Sequence, residues 1–222
     1  MIKKNNGLIA THEHITHRFF SSDVNEQRRI LEKCRTLGEN GEESISHIVA
    51  VPIDFISNDD IVECESEWQR IEPGFIRRAV GTHPVWVQEL TENRFQHLRE
   101  LAGAGTEWAD LPWESARTEP AVAIGETGLD YYRSGENKNK QKYWFQKFVE
   151  LSLEKKLPLI LHVRDSVDNN AEVEKQGIST DSAWMDTLQI LDSYRDENHL
   201  STEPEKTPWG VLHCCTVHTS HA

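Results

Sequence analysis

The chain has 222 residues, 37% of them hydrophobic, enough for one large α/β domain with a substantial core or for two small ones. A formal net charge of -13 excludes a protein that holds duplex nucleic acid through a broad basic face, because that affinity comes mainly from Lys and Arg neutralising phosphates. The four cysteines, two of them adjacent as Cys214 and Cys215, lack the even spacing of a small secreted disulfide framework.

Apolar runs alternate with helical patterns along the sequence. "GLIATHEH" comes first. It is followed by "SSDVNEQRRILEKCRTLG", where Val24, Leu31, Cys34 and Leu37 recur at helical spacing, Ser22 or Asp23 can cap the start and Gly38 can end it. "SHIVAVPI" and "RRAVGTHP" are the next two runs, and "LTENRFQHLRELAG" then places Phe95, Leu98 and Leu101 behind a Thr91 cap. After "AVAIGETGLD", the segment "KQKYWFQKFVELSLEKKL" aligns Trp144, Phe148 and Leu151 on one stripe. "LPLILHVRD" leads into "DSAWMDTLQILDSYR", with Trp184, Leu188 and Leu191 in a further stripe, and "WGVLHCC" is the sixth run.

All six runs are too dense in apolar residues for half-exposed strands, which predicts parallel strands buried on both faces. Polar loops start at Gly38, Gly103 and Asp168, and none is long or biased enough to form a domain of its own. A single domain over residues 1–222 is therefore expected, with a parallel sheet that is either open and doubly wound or part of a barrel. No signal peptide is evident and the longest apolar run is far too short to span a bilayer, so a soluble, cytoplasmic chain with reduced thiols and no membrane contact is expected.

Chemistry gathers at the ends of the runs. They carry His12 and His14, then Asp54, His83, Glu126 with Asp130, His162 with Arg164 and Asp165, and His213. In a parallel α/β fold the carboxyl ends of the strands open on one face, so these residues are expected to converge. His12 and His14, one residue apart, point to the same side of a strand and can grip a divalent metal, with Glu126 as a carboxylate bridge to a second ion. Taken singly, the pair could be a polar strand-end contact, and Glu126 a buried carboxylate satisfied by an arginine such as Arg133.

The stretches "GLIATHEH", "VGTHP", "AIGETGLDYYR", "LPLILHVRD" and "GVLHC", in this order, resemble the TatD-type metal-dependent deoxyribonucleases of the amidohydrolase-like barrel superfamily. The resemblance runs from about Gly7 to Cys214. It implies an α/β fold of the TIM-type (β/α) barrel kind, incomplete, with about six of eight strand-helix units present. It further implies two divalent ions (Mg, Mn or Zn), one on His12 and His14, the other on His162 and His213, with Glu126 as the bridging, catalytic carboxylate. His83 and Arg164 would lie beside the scissile phosphate, and the implied activity is 3'-5' exonuclease-like cleavage of single-stranded DNA or DNA ends. Away from the resemblance, His83 could be a capped turn residue and Arg164 could simply pair with Asp165 or Asp130. His17, His47, His97, His199, His218 and His221 have no strand-end context and are expected to be structural or on the surface.

Three departures from the family pattern bear on activity. The family carries an aspartate on a later strand, and nothing after His213 here is a carboxylate; the closing "CTVHTSHA" reads like a shifted frame or a premature stop. Ala10 replaces an aspartate common before the histidine pair, and residues 168–181 lengthen a loop on the substrate-facing side. Six strands of eight would leave the first and sixth as apolar edges open to self-association. The alternatives to a nuclease are therefore a non-catalytic remnant and a metal hydrolase of another ester or amide.

Overall fold

The computed structural model of the chain describes residues 8–16, 23–36, 45–68, 74–103, 120–165, 182–197 and 210–216. Ser22, Gly38, the loops at 38–44, 104–119 and 166–181, the histidines at 17, 199, 218 and 221, and residues 217–222 lie outside these segments. Among the described residues, six strands coincide with the six apolar runs: β1 (Leu8–Glu13), β2 (Ile45–Ala50), β3 (Ile76–Val80), β4 (Ala123–Asp130), β5 (Leu159–Arg164) and β6 (Gly210–Thr216). They pair in chain order, every neighbouring pair parallel.

The sheet is strongly curled. The rings of His12 in β1 and His213 in β6 stack with centroids 3.7 Å apart. In a flat sheet, five strand spacings would hold β1 and β6 roughly 24 Å from one another. The curl closes that distance and brings the carboxyl ends of the strands around one rim, giving a half-barrel.

Helices α1 (Val24–Thr36), α3 (Glu92–Leu101), α5 (Lys138–Lys155) and α6 (Ala183–Glu197) form where the periodicity predicts them. Asp23 accepts from the Asn25 N–H at the start of α1, and Thr91 Oγ1 accepts from the Arg94 N–H at the start of α3. Helix α2 (Phe55–Trp68) and the short α4 (Tyr131–Ser134) are additional. Ile61 and Trp68, seven residues apart and both buried, carry the signal for α2, but five acidic residues obscure the stripe.

Between strands and helices lies the larger apolar layer, with Val80, Ile124, Leu159, Leu161 and Val163 packed on Leu98, Trp144, Phe145, Phe148 and Leu151. On the opposite face of the sheet, Val51, Ala79, Ala123 and Ile160 form a small inner cluster. Small residues suit a tightly curved interior, where there is little room.

Two expectations need correction. Burial on both faces holds for β4, which is buried throughout, but fails for β1 and β6: Leu8, Ile9, Val211 and Leu212 are exposed. These strands pair on one side only among the described residues, so half of their surface lacks the cover that a central parallel strand receives. In α6, Trp184 and Leu191 pack against the core as the stripe predicts, but the most buried positions lie one residue earlier. Ala183, Thr187 and Ile190 are buried, whereas Leu188 is exposed. The carboxylate of Asp165, just past β5, accepts from the backbone N–H of Ala183 and the hydroxyl of Ser182, which ties the start of α6 to the end of β5.

Candidate metal centre

Glu126 is the hub of the rim. Ile124 belongs to the helix-facing apolar layer, and strict alternation along β4 would send Glu126 the same way. A register irregularity against β5 between Gly125 and Thr127 reverses the alternation, so that Leu129 faces the helices while Glu126 and Asp130 face the rim. Both carboxylates are fully buried.

Histidine nitrogens surround this carboxylate. From Glu126 Oε2, His12 Nε2 lies 3.3 Å away and His14 Nε2 3.8 Å. From Oε1, His162 Nδ1 lies 2.7 Å away, His213 Nε2 3.8 Å and His83 Nε2 4.0 Å. All five metal-ligand expectations and His83 therefore meet in space. Arginine is not the partner of Glu126; imidazoles are.

Second contacts decide which nitrogen each ring offers. His14 Nδ1 lies 2.9 Å from the Val51 carbonyl, which can only accept, so Nδ1 carries the proton and Nε2 presents its lone pair to the rim. His12 Nε2 sits 3.1 Å from it. These two nitrogens and the Glu126 carboxylate form a tight three-ligand group of the kind that divalent ions occupy. A second group of close ligand atoms joins His83, Glu126 and His162. Here the chemistry of His83 argues against ligation. Its Nδ1 accepts from the Val85 N–H at 3.1 Å, which leaves the proton on Nε2, the nitrogen that faces Glu126. His83 is thus a hydrogen-bond donor to the site, while His213, half-exposed on β6, is the free imidazole opposite.

Where the loop carrying His83 sits depends on α2. Buried Asn58 donates to the Gly81 carbonyl at 2.8 Å and accepts from the Gly81 N–H at 3.1 Å, while the His83 N–H donates to the Ile53 carbonyl. His83 also caps the turn over Pro84–Glu89, as expected of a capped turn residue.

Charge is distributed unequally. Burial alone would raise Glu126, but hydrogen bonds from His12 and His162 outweigh it and hold the carboxylate well below its ordinary range. Burial likewise opposes a proton on His162, yet its bonds to Asp130 and Glu126 prevail and raise it. Burial first, and His162 second, push His83 down from 6.5 to about 4, so its ring is neutral at pH 7. As pH falls, the unfolded chain takes up this proton before the folded one does. Metal-free protein is therefore expected to lose up to about 3 kcal/mol through this group as pH drops from 6.5 to about 4. His83→Asn, which keeps a capping oxygen, should flatten that slope in urea melts taken at several pH values; an equally steep slope in the variant would contradict the assignment.

The other rim residues have defined places. Arg164 holds its guanidinium 3.9 Å from the centroid of the Tyr132 ring, a cation–π stack beside β4. Asp54 accepts from the Ser57 N–H at 2.8 Å and Asp165 from the start of α6, so both serve as helix caps. His47 contacts Ser46 and His97 pairs with Asp59, both away from the rim.

Two close imidazoles, an ionised buried carboxylate and further histidines on the rim of a parallel half-barrel define a candidate centre for divalent metal. The family model described as TatD related DNase matches residues 9–222, and the chain belongs to that family. It is 28% identical over 169 residues to the uncharacterized metal-dependent hydrolase YabD of Bacillus subtilis, covering 76% of this chain and 55% of the relative. To the 3'-5' ssDNA/RNA exonuclease TatD of Pantoea sp. it is 31% identical over 108 residues, covering 49% of this chain and 35% of that protein. The chain thus spans about half, or less, of the length of these curated relatives.

Among solved structures, an uncharacterized amidohydrolase from Saccharomyces cerevisiae superimposes with a TM-score of 0.60 at 19% identity, over 85% of this chain and 52% of the other. YJJV, a TatD homologue from Escherichia coli, gives 0.54 at 19% identity, over 82% and 65%. At these identities the likeness is one of fold. No helix among the described residues is long and apolar enough to cross a membrane.

Proposed function

We propose that residues 1–222 form a single hydrolase domain that cleaves phosphodiester bonds in single-stranded DNA or at DNA ends, as a 3'-5' exonuclease does. The observation that carries this reading is the convergence of five imidazoles within 4.0 Å of one buried carboxylate. Relatives from Pantoea sp. and Erwinia billingiae that bear the name 3'-5' ssDNA/RNA exonuclease TatD support the substrate class.

His12, His14 and Glu126 would hold one divalent ion, and Glu126, His162 and His213 a second. Ions at such a site supply Lewis acidity toward a phosphate oxygen and a water of lowered pKa. Glu126 remains ionised and keeps the imidazoles of both groups aimed at one point. His83, neutral at pH 7, offers its Nε2–H to a phosphate oxygen without repelling a cation. Arg164, stacked on Tyr132, presents a planar fork suited to a phosphate. With a net charge of -13, such short contacts at a cleft suit a single strand or an end better than a wrapped duplex.

The test is cleavage of a 5'-labelled single-stranded oligonucleotide with added Mg or Mn. Products shortened progressively from the 3' end, lost with EDTA and restored by Mn, are expected. An intact oligonucleotide alongside metal-dependent cleavage of a simple ester or amide would replace the nucleic-acid reading; no hydrolysis of any of them by metal-loaded protein would remove the catalytic one.

A further inference from the structure

One rim carboxylate has no role so far. Asp130, at the end of β4, is completely buried and its two oxygens are engaged separately. Oδ1 accepts from the Arg133 N–H at 2.7 Å and caps α4. Oδ2 lies 3.1 Å from His162 Nε2, while His162 Nδ1 lies 2.7 Å from Glu126 Oε1. The backbone of Asp130 is fixed in turn by Gln141, a fully buried residue of α5. Gln141 Oε1 accepts from the Asp130 N–H at 2.8 Å. Its Nε2 donates to the Asp130 carbonyl at 3.1 Å and to the Ser134 carbonyl at 2.8 Å. A buried amide that spends both ends on two backbone sites sets the place of Asp130 firmly.

From this arrangement we infer that Asp130 is a positioning residue: it retains the proton on His162 Nε2, so that Nδ1 is the atom His162 offers to a divalent ion beside Glu126. The inference rests on the reading of Glu126 and His162 as metal ligands and adds to it the choice of nitrogen and the residue that makes the choice. An imidazole has one donor and one acceptor nitrogen when neutral, and a carboxylate can only accept. Both ring nitrogens of His162 face carboxylates, so each carries a proton in the metal-free chain; a divalent ion beside Glu126 would take the place of the Nδ1 proton, while Asp130, held in place by Gln141, keeps the one on Nε2. Such outer partners of a metal-bound imidazole typically contribute about 10- to 100-fold in metal affinity.

Asp130→Asn separates the two roles of the side chain. The amide oxygen still caps α4, since Asn caps helices as well as Asp does. The amide nitrogen then faces His162 Nε2 and donates to it, which leaves the ring proton on Nδ1 and removes the acceptor that would keep Nε2 protonated while Nδ1 ligates. With the full chain, Mn or Zn titration by calorimetry is expected to show affinity about 10- to 100-fold weaker than wild type at one of two sites. Nitrogen-15 shifts of the His162 ring in metal-free protein should report protons on both Nδ1 and Nε2 in wild type and on Nδ1 alone in the variant. A merely structural role would leave that pattern unmoved. Asp130→Ser, which keeps a capping oxygen but cannot reach the histidine, should also weaken metal binding, and serves if the Asn variant does not fold.

Wild-type affinity in both variants, or a His162 Nε2 proton that persists in Asp130→Asn, would overturn the inference. If wild type binds no Mn or Zn, the ligand reading fails and this inference fails with it. Metal bound tightly by wild type and both variants alike would leave the ligand reading standing and remove Asp130 alone.

Discussion

Glu126→Gln is expected to lose divalent-metal binding at both halves of the rim and to reduce metal-dependent hydrolysis by about 10³-fold, equivalent to roughly 4 kcal/mol of transition-state stabilisation. The substitution preserves shape and removes charge. Its weight follows from position: each Glu126 oxygen faces a different set of imidazoles, Oε2 toward His12 and His14, Oε1 toward His162, His213 and His83. A glutamine would turn an N–H₂ group toward nitrogens on one of those two sides, whichever way its amide is oriented. Neutral imidazoles alone would then have to compensate two dications in a buried site, where an unbalanced charge is costly. Calorimetric metal titration and turnover should both collapse, while far-UV circular dichroism stays that of wild type. Hydrolysis at the wild-type rate in Glu126→Gln would sink the two-ion reading.

Gly128→Ala is expected to cost about 2–6 kcal/mol of folding stability, combining a strained backbone with an overpacked contact. Gly128 has φ +138°, a conformation that residues with side chains rarely adopt. It pairs with His162 across the β4–β5 ladder, and an added Cβ would fall 2.1 Å from the His162 carbonyl oxygen. That contact lies between backbones, so no flexible side chain can move aside, and β5 must shift at the residue whose ring meets Glu126. Since whole domains are stable by only about 5–15 kcal/mol, the variant should melt far below wild type or fail to accumulate. Gly135→Ala is the control: its Cβ would meet only Lys138 Cε at 3.8 Å, and a change within about 1 kcal/mol is expected. Urea denaturation of the pair measures both, and equal midpoints would refute the close packing of β4 against β5.

The alternation of strand and helix, the Thr91 cap, the buried stripe of Trp144, Phe148 and Leu151, and the polar residues that end the strands are legible in residue order alone. These are local signals: periodicity over a few turns, a capping hydroxyl, and a polar residue directly after an apolar run. Helix α2 is hard to read because its acidic residues hide a stripe of Ile61 and Trp68, and in α6 Trp184 and Leu191 meet the core as expected while Leu188 is exposed. The folded chain alone brings His12 and His213, about two hundred residues apart in sequence, into a stack, since that depends on the curl of the sheet. It alone decided that Glu126 turns inward, through a register irregularity in β4, and that His83 offers a proton where His14 offers a lone pair. The physical reason is the same in each case: which nitrogen is free and which way a carboxylate points are fixed by backbone groups of distant strands, and no pattern of neighbouring residues encodes them.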